Sequence, residues 1–124
     1  MTRRIIKAMQ NRYTTMLGHM TGRLLLGREG YKVNPKEIFQ AAKDYGVVIE
    51  LNANPHRFDV DWRYGKELKA LGVKVSINPD AHGIAGISDT RFGVGIARKA
   101  WLEKKDVLNS MPLDQILKVL MVKK

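Results

Sequence analysis

The sequence contains no cysteine, which excludes a disulfide framework, a cysteine-ligated zinc site and a thiol nucleophile. Any metal has to be held by His, Asp, Glu or backbone. Long apolar runs are also missing: segments such as Val47–Leu51 and Val73–Ile77 are about five residues long, whereas a membrane helix needs roughly 20. The N-terminal Met1-Thr2-Arg3-Arg4-Ile5-Ile6-Lys7 is basic but lacks a continuous apolar core and a small-residue cleavage site, so it does not read as a secretory signal. A cytoplasmic protein is therefore expected, with no membrane partner. There is no Walker A sequence, no Gly-x-Gly-x-x-Gly opening a helix and no Gly-x-Ser-x-Gly elbow. No linker, low-complexity tract or charge block divides the 124 residues, so residues 1–124 are expected to form a single domain.

Acidic residues are in short supply, with 12 Asp and Glu against 22 Lys and Arg for a net charge of +10. The excess is uneven. Residues 1–32 carry seven bases against Glu29 alone, residues 91–124 carry eight bases against three acids, and the middle is nearly neutral. A chain basic at both ends favours a polyanionic partner such as nucleic acid, although lysines scattered on solvated helix faces give the same total. The 44% hydrophobic and 27% charged content is that of an ordinary globular domain.

Turn chemistry then sets out the elements. Asn34-Pro35-Lys36-Glu37 reads as a helix start, with Asn as N-cap, Pro in the first turn and Glu against the helix dipole. The helix runs to Tyr45 and ends on Gly46, suited to a left-handed C-terminal conformation. Val47–Leu51 follows as a buried strand, and the pattern repeats with a helix over Asp61–Leu71, Gly72, and a strand over Val73–Ile77. Upstream, Thr2–Gln10 predicts a short helix and Tyr13–Leu17 a strand. Downstream, one helix opens at Asp89 or Thr90 and reaches Lys99, and another runs from Met111-Pro112 through Val122. Alternating helices and strands with short connections predict an α/β fold of βα units with parallel strands. Three strands are too few for a closed barrel of about eight, so part of a barrel is expected.

In such folds ligands meet the loops after the strands. The loop after the first strand holds His19, that after the second follows Glu50 with Asn52 and Asn54, and that after the third holds Asp80 and His82. Imidazole and carboxylate suit Zn, Mn or Fe, and Asp-x-His in an extended loop can turn both side chains one way. Each also has a plainer reading. His19 can be a hydrogen-bonded structural histidine, and Asp80 with His82 an Asx-turn beside a surface histidine. Glu50 can bind metal, accept from Asn or Arg, or point to solvent, and Asn52 and Asn54 serve equally as turn formers. Arg23 and Arg28 lie in a glycine-rich segment that suits phosphate, or simply forms a basic surface loop. His56 is expected on the surface. Met1, Met16, Met20 and Met111 read as core fillers, Trp62, Tyr64 and Trp101 as helix-packing aromatics, and Gly93 and Gly95 as positions of close helix packing.

These same residues carry a resemblance. His19-Met20-Thr21-Gly22-Arg23-Leu24-Leu25, Ile49-Glu50-Leu51-Asn52-Ala53-Asn54-Pro55, Ile77-Asn78-Pro79-Asp80-Ala81-His82, Phe92-Gly93-Val94-Gly95-Ile96-Ala97-Arg98 and Trp101-Leu102 resemble the C-terminal part of a PHP (polymerase and histidinol phosphatase) domain, more narrowly the one attached to bacterial and archaeal family X DNA polymerases. The resemblance implies a distorted, TIM-like barrel, present here in part, with a metal cluster at the carboxyl ends of its strands. It also implies metal-dependent phosphoester hydrolysis, including 3′ to 5′ exonuclease and DNA-end processing in repair. It assigns His19, Asp80 and His82 as catalytic metal ligands for a divalent cation (Mn, Zn or Mg) and places Arg23 near the substrate phosphate; from its place in the same loop Arg28 is expected to bind phosphate as well, and Glu50 and Asn52 are expected to support the ligands. Met20 stands where the family usually has proline, which takes away that residue's stiffening of the His19 loop.

The first His-x-His motif and the second-motif ligands have no counterpart in residues 1–18. The chain is therefore expected to be weak or inactive alone, to bind DNA, and to be completed by a homodimer or by a missing N-terminal PHP or polymerase part. The alternative is a noncatalytic basic module for DNA binding or assembly.

Overall fold

The computed structural model describes residues 1–121. Eight regular elements follow one another: α1 (Thr2–Met9), β1 (Met16–Leu17), α2 (Pro35–Tyr45), β2 (Val48–Asn52), α3 (Gly65–Leu71), β3 (Val75–Asn78), α4 (Thr90–Lys99) and α5 (Leu113–Met121). The three strands form one parallel sheet in the order β1-β2-β3, with Met16 opposite Val48, and Ile49 opposite Val75. The sheet is open, so the α/β class and the parallel βα units stand while the chain itself closes no barrel.

Element ends differ from expectation for local reasons. The first strand shrinks to Met16–Leu17 because the Asn11 side chain accepts from the Tyr13 amide and holds residues 11–13 in a turn. Tyr13 itself is exposed. Asp61 caps a short 3₁₀ turn over Trp62–Tyr64 by accepting from the Arg63 amide, and the α-helix proper begins only at Gly65. Asn34 precedes the helix as expected, but its side chain donates to Glu37 Oε1 at 2.6 Å instead of capping an amide. Gly46 and Gly72 take φ of 60° and 72°, the left-handed endings that their positions required. Expected helical residue Val122 lies outside the described residues.

The core is built on β2 and β3, with Val48, Ile49, Leu51, Val75 and Ile77 buried. Ile38, Phe39 and Ala42 of α2 pack on it, and Phe39 meets Tyr64 edge to face at 5.5 Å. α4 approaches closely because Gly93 has no side chain: a Cβ there would lie 2.5 Å from Ile77 Cγ2 and 2.6 Å from Ala53 Cβ. A Cβ on Gly95 meets nothing within 4 Å, so only the first of the two glycines serves packing. Met20 is buried, but Met1 is exposed and Met16 and Met111 half-buried, while Met9, unremarked in the sequence, is fully enclosed. Trp101 is 66% exposed, with Lys66 Nζ 5.4 Å from its ring centroid, so it is not a packing aromatic. Trp62 is likewise partly exposed, under Lys99.

The outer edge of β3 is covered. Lys74 and Asn78 turn their carbonyls to β2, which leaves Val75 and Ile77 facing outward. Val75 forms a parallel bridge with Val107, and the Asn109 side chain accepts from Ile77 N at 2.8 Å and donates to Ile77 O at 2.9 Å. A sheet cut from a barrel has two edges, and this one is closed by the chain itself.

Candidate active site

The three loops at the carboxyl ends of the strands come together. Strand β2 projects Glu50 from its middle, and the carboxylate is used twice: Oε2 accepts from the His19 amide at 3.0 Å and Oε1 from Asn78 Nδ2 at 3.0 Å. Asn52, fully buried, accepts on Oδ1 from the Asn54 amide. Its amino group is therefore the part turned toward His19 Nδ1, 3.4 Å away. The other ring nitrogen, Nε2, faces Asp80 Oδ1 at 3.9 Å. His19 and Asp80 both adopt left-handed backbone, with φ of 49° and 54°. Non-glycine residues rarely sit there without tertiary support, and such residues cluster at functional sites.

Asp80 is held from its other side: Arg57 Nε donates to Oδ2 at 3.0 Å. His82 turns away, its Nδ1 on the Asp80 carbonyl at 2.8 Å, with the ring exposed. The structure thus brings together His19, Asp80, Glu50 and Asn52 of the expected residues, and leaves His82 beside them on the third loop. Among the described residues no three His, Asp or Glu side chains form a ready metal site. His19 Nε2 and Asp80 Oδ1, 3.9 Å apart, are nevertheless donors of the kind that suit a divalent cation, while Glu50 lies at the other ring nitrogen, 4.0 Å from Nδ1.

Arg23 is fastened inward. Its Nε donates to the Arg57 carbonyl, Nη2 to the Phe58 carbonyl and Nη1 to Asp61 Oδ2 at 2.9 Å. The expected phosphate ligand is thus a tie between the first and second loops. Asp61 is held well below the usual carboxylate range, first by Arg63, whose guanidinium bonds both carboxylate oxygens, and further by Arg23. Arg28 donates one Nη to the Gly22 carbonyl and is otherwise exposed, on an open groove with Leu24, Leu25 and Leu26. His56 is exposed as expected, and Asn54 forms a turn by accepting from the His56 amide.

Two contributors escaped the sequence reading. One is Arg57, and the other is Asp59, 1% exposed, whose Oδ2 accepts from the amides of Thr21 and Gly22 at 3.0 and 2.9 Å. This carboxylate does for the His19 loop what proline at Met20 would have done. No local pattern around Asp59 distinguishes it from a surface carboxylate, since its partners lie 37 and 38 residues upstream.

The chain is similar to known proteins. The chain is 36% identical over 114 residues to the DNA polymerase/3′-5′ exonuclease PolX of Bacillus subtilis, a match covering 92% of this chain and 20% of the relative. The chain is a PHP-like segment homologous to PolX. It is also 28% identical over 118 residues to a probable phosphatase of a Thermoanaerobacter species, covering 88% of the chain and 44% of the relative. A probable phosphatase of Caldanaerobacter subterraneus is 31% identical over 90 residues. The PHP-like chain therefore spans less than half the length of these curated relatives. No protein-family model matches it. Among the described residues, no helix is long and apolar enough to cross a membrane.

Proposed function

We propose that this PHP-like chain contributes part of a metal-dependent phosphoesterase site acting on DNA ends, as the 3′-5′ exonuclease name of its Bacillus relative suggests. The observation that carries the reading is the His19 imidazole set between the Glu50 and Asp80 carboxylates at the ends of parallel strands. His19 and Asp80 would hold a divalent cation, Mn, Zn or Mg, with His82 joining by rotation of its exposed ring. When bound, such a cation polarises a phosphoryl oxygen and lowers the pKa of water.

The chain's own residues orient these donors. Glu50 fixes the His19 backbone and Asn52 the ring, while Arg57 keeps the Asp80 carboxylate turned toward His19. Arg28, whose remaining guanidinium donors are free to meet solvent, is the phosphate partner on the rim. The other ligands that a multinuclear site needs come from outside these loops, through an N-terminal PHP part, a polymerase chain or a second copy.

The rival reading is a noncatalytic DNA-binding or assembly module, favoured by the turned-away His82. Titration with Mn, read by calorimetry, and hydrolysis of a single-stranded oligonucleotide decide between them. We expect Mn binding that His19→Ala and Asp80→Ala each weaken by tenfold or more, with weak Mn-dependent turnover lost in His82→Ala. No Mn binding and no turnover would establish the rival.

A further inference from the structure

We infer that the outward face of α1, with the turn that follows it, is a docking track for single-stranded DNA, separate from the loops at the strand ends. This rests on the reading that the chain handles DNA, and it places the strand on a surface that reading does not use. Arg3, Arg4 and Lys7 line an open groove with Ala8 and Asn11. All three cations are exposed, and none forms a salt bridge among the described residues. Positions three and four apart on a helix are neighbours, with Cβ atoms about 5–6 Å apart, so Lys7 is repelled by both Arg3 and Arg4. Arg3 and Arg4 also stand in the first turn, where no acidic residue accompanies them and the helix dipole disfavours positive charge. This placement works against the helix, and a bound polyanion reverses the sign of every one of those interactions.

The groove leads to an aromatic platform. Asn11 at its end accepts from the Tyr13 amide, and Tyr13 is 74% exposed with the Arg12 guanidinium 5.5 Å from its ring centroid. Backbone-tracking cations followed by an exposed ring that can stack a base are the combination by which single strands are bound without sequence preference. A lipid surface is disfavoured because the apolar side of α1 is already spent: Met9 is fully buried and Ile5 and Ile6 pack on the core. The track begins at the same end of the fold as the site. The Thr2 hydroxyl accepts from the Asn34 amide, just before α2. In a parallel βα unit the helix starts on the side where the preceding strand ends, so Arg3 and Arg4 lie at the end of the fold that carries the catalytic loops.

The test is fluorescence anisotropy with a labelled dT20 in EDTA, over a range of salt concentrations. The variant Arg3→Gln/Arg4→Gln/Lys7→Gln should bind at least tenfold more weakly, with the salt slope reduced by about 2, three contacts at roughly 0.7 each. Its melting temperature should be unchanged or higher, since like charges and an opposed dipole are removed, so misfolding is excluded as the cause. Tyr13→Ala should lose roughly tenfold and Tyr13→Phe should restore it. Equal weakening by Lys43→Gln/Lys104→Gln/Lys118→Gln, or inorganic polyphosphate competing as well as dT20, would overturn the track in favour of diffuse charge. Because EDTA removes any metal, binding is read independently of turnover: binding that does not depend on α1 retires the track alone, and absence of Mn binding and of Mn-dependent turnover in the separate assay retires the phosphoesterase reading alone.

Discussion

Arg57 Nε donates to Asp80 Oδ2 at 3.0 Å, so a residue of the second loop holds the carboxylate of the third. Both side chains are largely shielded from solvent, which lifts the pair above the usual surface ion pair. Arg57→Ala is expected to destabilise the fold by about 1.5–3 kcal/mol, the range for hydrogen bonds to charged groups. The check is a lowered urea midpoint at unchanged m-value.

Asp59→Ala strips two buried amides of their acceptor at once. The expected cost is about 3 kcal/mol. Hydrogen exchange gives the sharper readout: the Thr21 and Gly22 amides should exchange much faster in the variant, while those of β2 change only in step with global stability. Uniform acceleration across the chain would show that Asp59 is a general core residue and not a fastener of the His19 loop.

Stability should fall in acid partly through Asp61. Its folded pKa is depressed, chiefly by Arg63 and also by Arg23, so between the folded and unfolded values the unfolded chain binds more protons. The contribution is complete above the ordinary Asp value of about 3.9 and is lost as pH falls below it. Asp61→Asn should flatten the stability curve below about pH 4 relative to the parent, measured by urea denaturation across pH. A parallel curve for both chains would contradict the assignment.

Gly93 and Gly95, two residues apart on α4, should respond in opposite directions. Gly93→Ala forces a methyl against Ile77 and Ala53 and is expected to cost about 1–3 kcal/mol. Gly95→Ala meets open space and should stabilise by about 0.5–1 kcal/mol through the lower entropy of the unfolded chain. Thermal melting of the two single variants decides it.

Legibility in the sequence followed the range of the interactions. The α2–β2 unit could be read because each signal is local: Pro35 at the start, the apolar face of Ile38 and Phe39, and Gly46 at the stop. The meeting of His19 with Glu50 followed from the rule that ligands gather at strand ends, which needs only strand order. Arg23 misled because a guanidinium in a glycine-rich loop looks the same whether it points to solvent or to carbonyls 34 and 35 residues away. Asp59 could not be found for the same reason, its partners lying 37 and 38 residues upstream. The Tyr13–Leu17 strand shortened because a single Asn11 side chain captured an amide, an event that residue pattern does not distinguish from a solvated loop.

The Asn109 amide on Ile77 gives the sheet a direction. With that margin sealed by a side chain and by Val107, a further strand can join the described sheet only alongside Met16 and Leu17. Recruitment through the sheet is thereby one-sided: a companion strand would arrive next to the His19 loop, and the Asp80 loop keeps its flank whether or not a companion is present. Two copies meeting through their sheets would have to do so β1 to β1, which excludes an open-ended stack of chains.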